Sequence, residues 1–315
     1  MSELSRRGVF ALGAGAALAG AAGTGAASAD SFREANLAGF QHNYAQVNGV
    51  RLHYVTGGRG EPLVLLPGWP QTWWEYHKIM PALATRFRVI AVDLRGMGGS
   101  EKPQGGYDKK TMATDIHELV KKLGYTKVGL AGHDIGSQVA FSFAANFPAA
   151  TRKVALLDVL HPDESYYQIP LLPPPGQFSL WWFAFNQVQT LPEQLLAGRF
   201  RFLIDWLFAN TAFNPDAIDE RSRTIYARAY NSPEAIRASN AWYKAFHQDI
   251  ADGKTYAKLT PPVLGLASVL SYEQMVAALP NVAVDGKAVQ VDGAGHWLAE
   301  EAPDAVARAL TEFFG

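Results

Sequence analysis

The chain has no cysteine, which excludes disulfides, zinc thiolates and a cysteine nucleophile. It also lacks a dominant charge: 28 Lys and Arg stand against 29 Asp and Glu in 315 residues. No basic excess marks a nucleic-acid partner, and no acidic run marks a disordered tail. Internal repeats and, beyond residue 30, low-complexity tracts are missing as well. The one long uncharged run lies near the amino terminus and is built of Ala and Gly. It holds too few large apolar side chains to suit a permanent membrane span. What the chain does have is aromatic surface, with eight Trp, 12 Tyr and 17 Phe.

The first residues form a separate object. Ser5-Arg6-Arg7-Gly8-Val9-Phe10 is a twin-arginine pattern, and Ala27-Ser28-Ala29 before Asp30 suits a small-residue cleavage site. Residues 1–29 are therefore expected to be a twin-arginine export signal that places the mature protein outside the cytoplasm. A cytoplasmic enzyme results if the signal is not used.

From residue 30 onward the pattern alternates between strand and helix. Gln41 to Val55 reads as a hairpin around Asn48-Gly49. Pro62–Leu66, Phe87–Asp93, Val128–Ala131, Lys153–Asp158, Pro262–Leu266 and Ala288–Val291 read as buried strands. Helices are expected over 72–85, 110–123, the segment after residue 136, and 303–314. Such alternation implies a mostly parallel sheet covered by helices on both faces. The rhythm breaks between His161 and Tyr256, where a proline cluster and aromatic segments precede helices expected over 192–210, 218–229 and 232–248. The organisation expected is a first core part (30–160), a helical cap (161–256) and a second core part (257–315). Asp93 and Arg95 are expected to form a structural pair bracing the glycine turn up to Ser100.

Gly132-His133-Asp134-Ile135-Gly136 sits between an apolar strand and a segment with helical spacing. That is the strand–turn–helix form of a nucleophile elbow, with Asp134 where Ser usually stands. A carboxylate there is ionised at neutral pH and attacks carbon to give an ester that water must cleave. His296, in the loop Asp292-Gly-Ala-Gly-His296 before the last helix, is the candidate base. Asp158, at the end of the strand after the elbow, is the candidate acid that orients it. The loop after the following strand offers no carboxylate until Glu273, which favours Asp158; a strand-end Asp that merely caps a turn is the structural alternative. The backbone N–H groups of Trp69 and Ile135 are the candidate oxyanion hole.

These features together resemble an α/β-hydrolase of the epoxide hydrolase and dehalogenase branch: Asp134 in Gly-His-Asp-x-Gly, Asp158, His296, the Asp93-x-Arg-Gly-x-Gly-x-Ser100 turn and the helical insertion. The resemblance covers nearly all of the chain after the export segment and implies that fold. It further implies that Tyr243, in Asn240-Ala-Trp-Tyr243, donates to an epoxide oxygen. The matching earlier segment carries no tyrosine, only Trp181, Trp182 and Phe183, so one of the two Trp is expected to hold that oxygen. Substrate contacts are expected from Trp182, Trp181, Trp69, Phe183 and Trp297.

Two departures narrow the expectation. Haloalkane dehalogenases place a Trp after the nucleophile, where Ile135 stands. Fluoroacetate dehalogenases place arginines at that position and around Val139, and both positions are apolar in this chain. The resemblance implies an epoxide hydrolase with an apolar, aromatic or polycyclic small-molecule substrate, needing no cofactor and no metal. A haloalkane-type dehalogenase using the same Asp is the enzyme alternative, and a noncatalytic binding protein of the same fold is the other class.

Overall fold

The computed structural model describes residues 35–175 and 179–315. The expected export segment, 1–29, lies outside them. Eight strands form one sheet: β1 (Phe40–Val47), β2 (Val50–Gly57), β3 (Glu61–Leu66), β4 (Phe87–Val92), β5 (Val128–His133), β6 (Thr151–Leu157), β7 (Val263–Ser268) and β8 (Gly286–Val291). Their order is β1-β2-β4-β3-β5-β6-β7-β8. β1 and β2 form an antiparallel hairpin in register from Phe40↔Gly57 to Val47↔Val50. Asn48 (φ 42°) and Gly49 (φ 74°) both take the left-handed backbone that a two-residue hairpin turn requires. β2 meets β4 antiparallel, and every pairing from β4 to β8 is parallel. All six residues of β5 and of β7 are buried. Continuous apolar runs are what a parallel strand covered on both faces needs.

Helices α1 (Met80–Leu83), α2 (Lys109–Lys122) and α3 (Ile135–Asn146) precede the insertion between β6 and β7. The insertion carries α4 (Trp181–Phe185), α5 (Leu191–Leu196), α6 (Arg201–Thr211), α7 (Glu220–Ala229), α8 (Pro233–Lys244) and α9 (Phe246–Gly253). After it come α10 (Tyr272–Val282), α11 (Leu298–Glu301) and α12 (Pro303–Phe314). Ser232 caps α8 by accepting from the Ala235 N–H, with Pro233 at the first helical position. Among the described residues no helix is long and apolar enough to cross a membrane.

Several long helices expected from periodicity are broken. Residues 72–85 form a 3₁₀ turn over Trp73–Tyr76 and then α1, because Pro81 cannot supply the amide a continuous helix would need. Residues 192–210 divide into α5 and α6 around Gly198, whose φ is 75°. Residues 232–248 bend at Ala245, which closes α8 and opens α9. Asp93 and Arg95 do not pair with each other. Asp93 accepts from His53 Nδ1 at 2.7 Å and from the Trp73 and Gly99 amides. Arg95 instead forks onto Asp115 at 2.6 and 2.7 Å. The glycine turn is braced from both ends through different partners.

The insertion is tied to the core through α8 and α9, among other segments. The Lys109 ammonium, fully buried, lies 2.7 Å from Asp249 and 3.0 Å from the Trp242 carbonyl. The Trp242 indole donates to the Arg95 carbonyl at 3.0 Å, and Arg237 donates to the Lys102 and Pro103 carbonyls. Other core–insertion bonds include Tyr230 Oη to the Gln71 carbonyl, Trp74 Nε1 to Ser222 Oγ, Tyr226 Oη to Glu300, Trp297 Nε1 to Thr211 Oγ1, and the Phe213 and Asn214 amides to Glu301. A buried charge without its partner is strongly destabilising. Lys109→Met is thus expected to lower the unfolding free energy by about 3–5 kcal/mol, measured by chemical denaturation. Lys109→Met with Asp249→Leu is expected to recover most of that loss; a double variant as unstable as the single one would show that the site needs the charges themselves.

Candidate active site

β5 ends at His133 and α3 begins at Ile135, so Asp134 alone makes the turn. Its backbone is held at φ 49° and ψ −120°, a region that non-glycine residues rarely occupy unless the surroundings enforce it. Two flanking glycines make room. A β-carbon at Gly132 would lie 2.2 Å from the Gly136 carbonyl oxygen, and one at Gly136 would lie 2.0 Å from the Leu66 carbonyl oxygen. The Asp134 carboxylate emerges at the amino end of α3, and its Oδ1 accepts from the Ile135 amide. The loop Pro67–Pro70 touches the elbow: a β-carbon at Gly68 would sit 2.6 Å from Asp134 Cβ. Trp69 and Ile135, the expected oxyanion donors, therefore lie on either side of the nucleophile.

The other two residues of the expected triad converge on Asp134. His296 Nε2 lies 3.4 Å from Asp134 Oδ2, and its Nδ1 lies 2.7 Å from Asp158 Oδ2. Asp158 turns out of β6 with φ 64°, and its other oxygen accepts from the Ser268 amide at 2.9 Å and from the Ser271 hydroxyl. Burial alone would raise the Asp158 pKa, but the bonds from His296, Ser271 and Ser268 outweigh it and bring it down to about 2. Burial would likewise lower that of His296; the bonds to Asp134 and Asp158 reverse this and raise it to about 10. The imidazole is clamped between two carboxylates, which favour its protonated form. Ser271 is the member of this set that the sequence reading missed. It lies in the loop searched for a carboxylate, where a hydroxyl was given no weight.

A cavity of about 770 Å³ opens in front of the triad. Trp69, Asp134, Ile135, Asp158, Trp182, Phe183, Tyr243, His296 and Trp297 all line it. Trp181 does not; it packs edge-on against Phe185 and Trp206 and faces a separate shallow cleft. Successive residues of a helix point about 100° apart, and α4 is rotated so that Trp182 and Phe183 face the cavity while Trp181 faces away from it. Tyr243 is buried, edge-on to Trp69 at 5.3 Å and to Phe183 at 5.4 Å. Burial first, then the nearby Asp134 charge, push its pKa well above the usual phenol range, while a hydrogen bond from Trp182 opposes them.

Two further polar groups reach the cavity that sequence reasoning did not single out. Tyr166 enters from the short segment after β6, packed against Phe183 and Phe246. Its pKa is raised by burial and by the Asp134 charge, and its hydroxyl accepts from Gln138 Nε2 at 3.3 Å. Gln138 stands four residues after Asp134, on the same face of α3, and lines the cavity; Val139 is fully buried and does not. The expectation of an apolar residue one turn after the nucleophile is thus corrected to a neutral amide. The i, i+4 spacing from Asp134 is the signal that finds it. Among the described residues no Lys or Arg lines the cavity. Among the described residues no group of three His, Asp or Glu is placed to hold a metal ion.

Known proteins with these features agree. The family described as the alpha/beta hydrolase fold matches residues 61–260. The soluble epoxide hydrolase of Corynebacterium sp. (strain C12) is 37% identical over 87% of this chain and 96% of its own. The fluoroacetate dehalogenase of Burkholderia sp. is 29% identical over 87% of this chain and 94% of its own. The solved structure of the epoxide hydrolase CorEH without ligand superposes with a TM-score of 0.79 at 35% identity, covering 87% of this chain and 98% of that one. The elbow, the eight-stranded sheet and these likenesses converge: the chain belongs to the α/β-hydrolase fold family, in the branch that holds the epoxide hydrolases and dehalogenases.

Proposed function

We propose that the protein opens an apolar epoxide to a vicinal diol through a covalent ester on Asp134. The observation that carries the reading is a carboxylate at the elbow with His296 3.4 Å away and two phenols facing the same cavity. Asp134 attacks an epoxide carbon, the carbon–oxygen bond breaks, and the departing oxygen takes a proton. Tyr243 and Tyr166 are the proposed donors. Each phenol accepts an N–H, from Trp182 and from Gln138 respectively, which leaves its own hydrogen free for the substrate oxygen. In this reading Trp182 orients Tyr243, rather than holding the epoxide oxygen itself.

The second half-reaction uses the charge balance around His296. Alkylation converts the Asp134 carboxylate into a neutral ester, removing one of the two anions that hold the imidazole protonated. His296 then gives up its proton, which returns through the cavity to the phenolate left by ring opening, and the neutral imidazole can take one from water. Water attacks the ester carbonyl, and the amides of Trp69 and Ile135 receive the oxyanion. Collapse releases the diol and regenerates the carboxylate.

The cavity supports an uncharged substrate of considerable size. Its volume suits a drug-sized molecule, its walls carry Trp69, Trp182, Phe183, Phe246 and Trp297, and among the described residues it holds Asp134, Asp158 and Asp163 but no Lys or Arg. That composition disfavours a carboxylate substrate of the fluoroacetate kind. The inserted helices, in this reading, form the cap that closes the cavity over the triad.

His296→Gln is expected to stop ester hydrolysis while sparing alkylation. After exposure to an aryl epoxide, intact-protein mass spectrometry should then show one substrate mass added, mapping to Asp134 after digestion. Absence of the adduct, together with release of halide rather than diol by the parent enzyme on haloalkanes, would overturn the epoxide reading. Asp134→Asn is expected to move the His296 titration in NMR spectra down from about 10, because one anion is lost; an unmoved titration would refute the switch between half-reactions.

A further inference from the structure

His133, one residue before the nucleophile, is buried and lies outside the cavity lining. Its Nε2 lies 2.8 Å from the backbone carbonyl oxygen of His296. A carbonyl can only accept, so Nε2 carries the hydrogen. Its Nδ1 lies 3.1 Å from Glu75 Oε1. The other oxygen of Glu75 accepts the Gly68 amide at 2.8 Å. Glu75 is itself buried, on the 3₁₀ turn Trp73–Tyr76. Nδ1 and the carboxylate oxygen are in contact at that distance without the alignment of a hydrogen bond.

One imidazole and one carboxylate thus join the three loops that must act together on the ester. Glu75 fixes the loop that offers the Trp69 amide. His133 belongs to the elbow itself. The carbonyl it holds is that of His296, whose ring centroid is 4.6 Å from its own. The Pro67–Pro70 loop has no slack here: a β-carbon on Gly68 would come 2.9 Å from His133 Nδ1. A small misplacement of a base or an oxyanion donor costs up to about 100-fold in rate.

We propose that Glu75 and His133 are positioning residues for ester hydrolysis, keeping the oxyanion loop and the His296 loop in register with Asp134. They touch neither substrate nor the reacting atoms. Alkylation needs Asp134 and the phenols, none of which this pair contacts through its hydrogen bonds, so the two half-reactions must respond differently. Glutamine at position 75 can still accept the Gly68 amide with its oxygen and donate to His133 Nδ1 with its nitrogen. It therefore serves as the conservative rescue.

The inference rests on Asp134 being alkylated, so the test separates the two claims. Single-turnover reactions of the parent, Glu75→Ala, Glu75→Gln and His133→Phe with one aryl epoxide are followed by quenched mass spectrometry. Rates of adduct formation and of adduct loss are both read, and thermal unfolding confirms that each variant is folded. Glu75→Ala and His133→Phe are expected to lose the adduct about tenfold or more slowly, to form it within threefold of the parent rate, and so to accumulate it. Glu75→Gln is expected to clear it within threefold of the parent rate, which also keeps the inference testable if Glu75→Ala does not fold. Formation and loss falling in proportion, neither changing in folded variants, or Glu75→Gln being as slow as Glu75→Ala would overturn the positioning role. If the parent and His296→Gln form no adduct at all, the reading of Asp134 fails first.

Discussion

The structure depends on one squeeze: Asp134, the proposed nucleophile, is held at φ 49° between two glycines that touch backbone. Because Gly136 lies against the Leu66 carbonyl and Gly132 against Gly136 itself, the elbow, the end of β3 and the start of α3 cannot shift independently. The backbone geometry that exposes Asp134 is enforced by packing of the central parallel strands, the most thoroughly buried part of the molecule. Strain of this kind persists only where the surroundings over-determine it, and here the buried sheet supplies that constraint.

On that rigid base the electrostatics are arranged around a single imidazole. His296 is bonded on one side to Asp158, whose negative charge is stabilised by Ser271 and Ser268, and on the other faces Asp134. Asp158 is permanent, while the charge on Asp134 is present only when the nucleophile is free. The proposed reaction therefore alters the protonation of its own base without any moving part. Rigidity and chemistry are complementary in this arrangement, since the switch is a covalent bond rather than a conformational change.

Much of this was legible in the sequence. The strand–turn–helix pattern around Asp134 and the late loop of His296 are local signals, and both are where the pattern placed them. Asp158 followed from position at a strand end. The failures have a common physical origin in three-dimensional placement. Helices were read too long where Pro81, Gly198 and Ala245 interrupt them, because periodicity persists through a bend. Trp181 and Trp182 were equivalent as letters, yet the rotation of α4 turns one away. Tyr166 comes from a stretch without regular periodicity, and Ser271 from a loop judged only for its lack of carboxylates. Asp93 and Arg95 were paired by proximity in sequence, whereas each found its partner in a distant segment.

The apolar lining also governs which way material moves through the cavity. An epoxide brings one weak acceptor into a wall of indole and phenyl rings, whereas a diol brings two hydroxyls. A buried hydroxyl left unpaired costs about 1–3 kcal/mol, and the Trp69, Trp182, Phe183, Phe246 and Trp297 rings on these walls offer a second hydroxyl no acceptor. The walls that draw the substrate from water thus hold its hydrated product less well. In the proposed reaction, product inhibition is opposed by the composition of the walls.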